Sequence, residues 1–199
     1  MNTTIIDYFL GLRRHIGWVG LLLPALITLR AGEFLPSLSA AYYSPARDVF
    51  VGGMTVIAAF LTYYPGYTKG DRRASWIAGL SAGGVGVFPM APPNPDTWDT
   101  RIGYAHFGCA LLFFAALAYL CIYQFTRSGG FMTEAKMRRN SVYRACGRFI
   151  VAGVALLAIV ATVFEGSPLV FWIESLMVLA FGYAYLIKGE FWMADEEQA

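Results

Sequence analysis

Residues 102–125 read IGYAHFGCALLFFAALAYLCIYQF, an apolar run without a Lys, Arg, Asp or Glu. A helix needs about 20 such residues to cross the ~30 Å hydrocarbon core of a bilayer. Only helices and closed barrels satisfy their backbone hydrogen bonds in lipid, and the run lacks the alternating apolar and polar residues of a barrel strand. It therefore predicts a transmembrane α-helix.

Five further apolar runs of the same kind determine the fold class. Of the 199 residues, 57% are hydrophobic and 14% are charged, whereas a soluble domain is usually about 45–50% apolar and about 25% charged. The chain is therefore predicted to be all-α, a single polytopic membrane helix bundle with six transmembrane helices. The predicted domain covers residues 1–199, with spans at about 16–30, 48–65, 75–90, 102–125, 148–165 and 168–188.

Composition and charge also exclude several classes of protein. A chain this apolar is not disordered, three cysteines do not make a disulfide scaffold, and a net charge of +2 does not suit a nucleic-acid binder. A cleaved signal peptide is an alternative for the first run, because Arg13 and Arg14 precede it. The long segment before the run contains Asp7 and favours a retained span.

The basic residues predict how the bundle is oriented. All Lys and Arg except Arg30, Arg47 and Arg101 lie before the first span, after the sixth, or in the connections on that same side. The positive-inside rule assigns this side to the cytoplasm. Both termini of the multi-pass chain are therefore expected to be cytoplasmic.

Three ionisable side chains stand near the outer start of the even-numbered spans: Asp48, His106 and Glu174. Ionisable groups within a membrane are costly and usually face the bundle interior or a cavity. If spans two, four and six are neighbours, the three side chains converge on one outward-facing polar site. Residues of the outer loops complete the predicted ligand-binding set, namely Ser39, Tyr42, Arg47 and Arg101.

The chemistry of this predicted layer stays open. Two carboxylates and an imidazole can ligate zinc or a harder cation, although no cofactor is otherwise indicated. The same groups can act as general acid and base, so Asp48, His106 and Glu174 are also the catalytic candidates. A Ser39–His106–Asp48 triad can be composed, but the sequence around Ser39 has no nucleophile elbow. A metal-free hydrogen-bonded cluster, structural or ligand-binding, is the remaining alternative.

The cytoplasmic connection at 126–148 carries the densest positive charge of the chain. Cations next to a span attract anionic lipid headgroups, at about 1 kcal/mol for each Lys or Arg. Arg138, Arg139 and Arg144 are therefore predicted to bind lipid headgroups. The alternative is that these residues only orient the bundle.

Gly79 and Gly83 form a small-residue face on the third span. Such faces let two helix backbones approach closely in lipid. The face predicts packing within the bundle or, alternatively, contact with a second copy of the chain.

Short motifs carry a resemblance over nearly the whole chain. They are SAAYY at 39–43, RDVFVG at 47–52, FP at 88–89, HF at 106–107, NSVYRACG at 140–147, FWIE at 171–174 and KGE at 188–190. The chain resembles a group of small bacterial six-span integral membrane proteins of unknown function. It is more distantly similar to the DRAM-like membrane proteins, which are linked to lipid handling. The resemblance implies a location in the bacterial inner (plasma) membrane.

The predicted function is non-enzymatic or accessory, the binding of a lipid or small amphiphile in an outward-facing polar cavity. One alternative is an intramembrane lipid hydrolase or transferase, either metal-free or metal-dependent in the manner of the alkaline ceramidase-like enzymes. Those enzymes use a Ser, an Asp and three His on seven spans, whereas this chain offers one membrane-embedded His on six. Another alternative is a subunit of a larger membrane complex. The expected partners are membrane lipids, another membrane protein or a second copy, and not nucleic acid.

Overall fold

The computed structural model describes residues 3–66, 68–128, 130, 132–164 and 167–193. Within these ranges no residue belongs to a β-strand, and the predicted all-α fold class is confirmed. The six helices are α1 (Thr3–Ala31), α2 (Arg47–Tyr63), α3 (Lys69–Val87), α4 (Thr97–Tyr119), α5 (Glu134–Val163) and α6 (Leu169–Lys188).

Four of the helices are long and apolar enough to cross a membrane: α1 from Ile6, α4 extended to Gln124, α5 and α6. Helix α2 has 17 residues and rises about 25 Å, which is short for a ~30 Å hydrocarbon core. Helix α3 is less apolar because charged residues occupy its first turns and Gly and Ser recur along it. The four clear candidates indicate a membrane protein.

Helices α1 and α5 begin well before the spans predicted at about 16–30 and 148–165. Thr133 caps α5, since its side chain accepts a hydrogen bond from the Lys136 N–H at 3.1 Å. Lys, Arg, Met and Ala are good helix formers. The basic segment expected as a connection is therefore largely the first four or so turns of α5.

The helices form a closed ring in which each packs against the next along the chain and α6 packs against α1. The starts of α1, α3 and α5 lie together with the ends of the other three helices. We call this the basic end, because most of the Lys and Arg lie there, and the other the opposite end. Helices α2, α4 and α6 are alternate members of the ring. Phe113 of α4 reaches Phe181 of α6 across the interior, with ring centroids 6.2 Å apart.

Glycines allow the closest helix contacts in the ring. A Cβ on Gly79 would lie 2.7 Å from the backbone nitrogen of Thr62 in α2, and one on Gly182 would lie 2.7 Å from the Gly17 carbonyl oxygen in α1. Side chains do not fit at such distances, so both contacts require glycine. Gly79 therefore packs α3 against α2, which agrees with the first alternative for its small-residue face.

Helix α4 ends in a π-helical turn, Leu120–Gln124, where the Phe125 N–H donates to the Leu120 carbonyl at 2.8 Å. Such turns are rare and often occur at functional sites. This one places the buried side chain of Gln124 at the basic end of the bundle.

Candidate functional site

The first candidate site lies at the opposite end and centres on His106 of α4, which is 7% exposed. Its Nδ1 lies 2.7 Å from the Phe88 carbonyl oxygen and its Nε2 lies 3.0 Å from the Ser39 Oγ. A carbonyl only accepts hydrogen bonds, so Nδ1 carries the proton, and Nε2 of the neutral ring accepts from the Ser39 hydroxyl. Both ring nitrogens therefore have partners within the protein.

Glu174 of α6 holds the same segment of chain. Its Oε2 accepts a hydrogen bond from the Leu38 N–H at 2.7 Å. Leu38 precedes the 3₁₀ turn Ser39–Tyr43, and its buried N–H needs an acceptor. His106 and Glu174 therefore both fasten the α1–α2 connection to the bundle. We call Ser39, His106 and Glu174 the Ser39 cluster.

Asp48 is exposed in the first turn of α2, away from the buried position expected for it. A carboxylate there is stabilised by the positive end of its own helix dipole. Across the described ranges, no three His, Cys, Asp or Glu side chains are placed to hold a metal ion. The expected Asp48–His106–Glu174 metal layer is therefore not formed, because Asp48 lies at the helix start whereas His106 lies further along its helix.

The predicted arginines of the opposite end lie on the surface. The Arg47 guanidinium lies 4.5 Å from the centre of the Tyr42 ring, and its Nη2 donates to the Tyr42 hydroxyl at 3.1 Å. Arg47 and Arg101 are both exposed. Of the predicted ligand-binding set, the structure brings Ser39, His106 and Glu174 into one hydrogen-bonded group and pairs Arg47 with Tyr42.

A larger candidate site lies at the basic end, where a cavity of about 690 Å³ opens among α1, α3, the π-helical turn, α5 and α6. Among the residues that the structure describes, its wall carries more basic side chains than carboxylates. The basic residues are Arg13, Arg127, Lys136, Arg139 and Lys188, and the carboxylates are Asp71 and Glu190. We call this the basic cavity.

Carbonyl groups at helix ends hold two of these cations in place. Lys136 Nζ donates to the Phe125 carbonyl at 2.9 Å, and Arg13 Nη1 donates to the Lys188 carbonyl at 3.4 Å. Carbonyls at a helix C-terminus carry a partial negative charge. They therefore help to position the two cations.

Two aromatic rings lie beside the lysines of the basic cavity. Lys188 Nζ is 5.6 Å from the centre of the Phe125 ring and 6.0 Å from that of Tyr143, and Lys136 Nζ is 5.7 Å from the Tyr143 ring. Cation–π attraction stabilises an ammonium group by about 0.5–2 kcal/mol, depending on its exposure. The rings thus help to keep two ammonium groups near one another.

The residues after α6 lie against the cavity. Arg139 Nη1 donates to the Met193 carbonyl at 2.7 Å, and Arg14 Nε donates to the Gly189 carbonyl at 2.7 Å. Trp192 packs against Trp18 of α1, with ring centroids 6.5 Å apart. The segment 189–193 is therefore fastened to both α1 and α5.

The predicted headgroup-binding arginines divide into two groups. Arg139 is buried and lines the basic cavity, whereas Arg138 and Arg144 are exposed. Arg138 Nη2 lies 3.7 Å from a Glu134 carboxylate oxygen one helical turn earlier. Only Arg139 of the three is placed to bind a ligand inside the bundle.

Sequence reasoning missed most of the basic cavity, although signals for it exist. Lys136, Arg139 and Tyr143 are spaced three and four residues apart, which places them on one face of a helix. Asp71 and Gln124, 2% and 4% exposed, are polar residues at the basic ends of α3 and α4. Buried polar side chains require partners. Because both residues lie at the same end of the bundle, they indicate a shared polar interior there.

The two sites differ in what they can do chemically. In the Ser39 cluster the Ser39 hydroxyl donates to the His106 ring, whose other nitrogen bonds to the Phe88 carbonyl, and the Glu174 carboxylate accepts from the Leu38 N–H. The basic cavity offers space and an excess of positive charge, which suits an anion carrying several oxygen atoms. No protein-family model, curated protein or solved structure matches the chain, so its function is argued from these residues alone.

Proposed function

We propose that this chain is a six-span membrane protein that binds a phosphate-bearing anion, foremost an anionic lipid headgroup, in the basic cavity. The observation that carries the proposal is the convergence of five basic side chains on one cavity of about 690 Å³. Small-molecule sites usually occupy about 300–1,000 Å³. Hydrogen bonds from Arg and Lys to phosphate oxygens are roughly twice as strong as neutral ones.

The proposal includes an orientation, with the basic end and both termini in the cytoplasm of a bacterial inner membrane. The charge asymmetry between the two ends supports it through the positive-inside rule. The closed ring supports six spans, because α2 and α3 pack between helices that are long enough to cross. Aromatic and basic residues at their ends can extend these two helices to the interface.

We keep the lipid-binding function predicted from the sequence, but assign it to the basic cavity instead of the outward-facing polar site. Hydrogen-bond partners within the protein occupy His106 and Glu174. The cations of the basic cavity also have partners within the protein, but they line an open volume of about 690 Å³. A ligand therefore gains more binding free energy in the basic cavity than at the Ser39 cluster.

Binding of inorganic phosphate and of phosphatidylglycerol to the purified protein tests the proposal. The double variant Lys136→Gln/Arg139→Gln removes two charges and keeps polar, though shorter, side chains at both positions. We expect phosphate to bind at least about 100-fold more weakly, because each hydrogen bond to a charged group contributes about 1.5–3 kcal/mol. Isothermal titration calorimetry in detergent measures the phosphate, and native mass spectrometry measures the lipid.

The matched control is Arg138→Gln/Arg144→Gln, which removes the same charge from exposed positions of the same helix. We expect its affinity for phosphate to stay within about twofold of the original, because exposed charges are largely screened. An equal loss in both double variants would show that binding follows net charge rather than the cavity, and would contradict the proposal.

A second candidate function, acyl transfer or hydrolysis, is favoured by the 3.0 Å distance between Ser39 Oγ and His106 Nε2. His106 can accept the Ser39 proton, with the Phe88 carbonyl orienting the ring where serine hydrolases use a carboxylate. A fluorophosphonate probe tests it in lipid nanodiscs. Labelling that disappears in both Ser39→Ala and His106→Ala supports the enzyme, and an unlabelled Ser39 rejects it.

A further inference from the structure

A groove of about 410 Å³ lies on the side of the bundle between α3 and α4. Gly70 and Ala74 of α3 and Ala115 and Ala116 of α4 line it. Gly70 and Ala74 share one helix face, and Ala115 and Ala116 flank the face that carries Leu112, because residues three or four apart are neighbours on a helix surface. Their small size leaves a channel between two helices that otherwise pack closely.

The edges of the groove show what it faces. Ile77 and Leu112 lie along it and are 48% and 55% exposed. In a membrane protein an exposed apolar side chain at this depth faces lipid acyl chains. Arg73, also exposed, is the charged member of the described lining. The groove therefore combines an apolar channel with one cation near the basic end.

A thin polar partition separates this groove from the basic cavity. Gln124 accepts a hydrogen bond from Thr68 Oγ1 at 3.1 Å and donates through Nε2 to the Tyr119 hydroxyl at 2.8 Å. Thr68 and Gln124 line the basic cavity, whereas Tyr119 lines the groove. A Cβ on Gly70 would lie 3.0 Å from Gln124 Nε2. The two spaces are therefore separated by about one layer of side chains.

We propose that the ligand of the basic cavity is a lipid whose phosphate lies among the cations while an acyl chain lies in the α3–α4 groove. The inference rests on the proposed function and adds the class of ligand. The closeness of the two spaces on either side of Gln124 and the charge of Arg73 favour a molecule with an anionic head and a long apolar chain. The polar linker of such a molecule crosses at the Gln124 amide, which can exchange its bonds to Thr68 and Tyr119 for bonds to the ligand.

The experiment fills the groove and leaves the cavity intact. Ala115→Phe places a ring in the groove from an exposed position, and Leu112→Trp fills it from the neighbouring turn. The matched control is Ala105→Phe, at an exposed alanine of the same helix outside the groove lining. The probes are dioleoyl phosphatidylglycerol, measured by native mass spectrometry from nanodiscs of phosphatidylcholine, and inorganic phosphate, measured by calorimetry.

We expect both groove variants to bind the dioleoyl lipid about tenfold more weakly, because an occupied groove excludes the chain. Their affinity for inorganic phosphate, like that of Ala105→Phe for both probes, should stay within about twofold. Unchanged lipid binding in Ala115→Phe and Leu112→Trp overturns the inference. So does an equal loss of lipid and phosphate.

The proposed function fails on a different result. If Lys136→Gln/Arg139→Gln binds phosphate and lipid like the original protein, the basic cavity is not the anion site. If that variant loses both probes while the groove variants keep the lipid, the cavity binds the headgroup and only the acyl-chain inference is wrong.

Discussion

The Ser39 cluster and the basic cavity are both polar groups inside an apolar bundle, but they differ in the open space and the balance of charge around them. In the Ser39 cluster the hydrogen-bonding atoms of His106 and Glu174 meet the protein's own backbone and one hydroxyl. At the basic end the cations surround a volume of about 690 Å³. The comparison teaches that an ionisable residue at membrane depth does not by itself mark a binding site. Open space and an excess of one charge are the further features on which the proposal for the basic cavity rests.

The largest effect on stability is expected for His106→Leu. The substitution leaves the Ser39 hydroxyl and the Phe88 carbonyl without their partner, at a cost of about 2–3 kcal/mol for two lost hydrogen bonds. Thermal unfolding in detergent measures it. Phosphate affinity should not change below the unfolding temperature, because the basic cavity lies at the other end. A fall in phosphate affinity would show that the two sites are coupled.

Substitutions of Glu174 should lower the stability less. They also distinguish the contribution of the carboxylate charge from that of its hydrogen bond. Glu174→Ala removes the acceptor of the buried Leu38 N–H and should cost about 1–2 kcal/mol in the free energy of unfolding. Glu174→Gln keeps an acceptor oxygen and should retain most of that stability. If Gln is as destabilising as Ala, the carboxylate charge itself holds the segment.

Salt concentration should affect phosphate binding at the basic end but not the stability contributed by the Ser39 cluster. Raising NaCl from about 0.05 M to about 0.5 M shortens the screening length severalfold, so we expect phosphate to bind about three- to tenfold more weakly. The destabilisation caused by His106→Leu should be the same at both salt concentrations, because the lost bonds are buried and the imidazole is neutral. Calorimetry and thermal unfolding provide the two readouts. Salt-independent phosphate binding would contradict the charge-based account of the cavity.

The smallest effect is expected for Asp48→Asn. The side chain is exposed in the first turn of α2, where it contributes only its interaction with the helix dipole. We expect a change below about 0.5 kcal/mol in stability and none in phosphate affinity. A loss comparable to that of His106→Leu would show that Asp48 interacts with the bundle beyond its own helix dipole, and would contradict this account.

The fold class could be predicted because long apolar segments without charged residues can be recognised directly in the sequence. Helix limits could not, since hydropathy detects only the lipid-facing part of a helix. The polar first turns of α5, which begin at Glu134, therefore look like a connection until the Thr133 cap is recognised.

The candidate sites were predictable to different degrees. His106 and Glu174 stand out as polar residues among apolar ones, yet their partners lie in the α1–α2 connection, whose conformation follows no periodicity. The basic cavity is harder still, because it joins distant parts of the chain. Arg13 and Lys188, 175 positions apart in sequence, meet only after the ring closes.

Closure of the ring by α6 has a bearing on biosynthesis. Gly17 and Gly182 bring the first and last helices into direct backbone contact, so a nascent chain exposes that face of α1 until the ribosome has made α6. Arg13 meets the Lys188 carbonyl only then. In a partly translated chain the proposed anion site is therefore incomplete, and it forms only when α6 joins the ring.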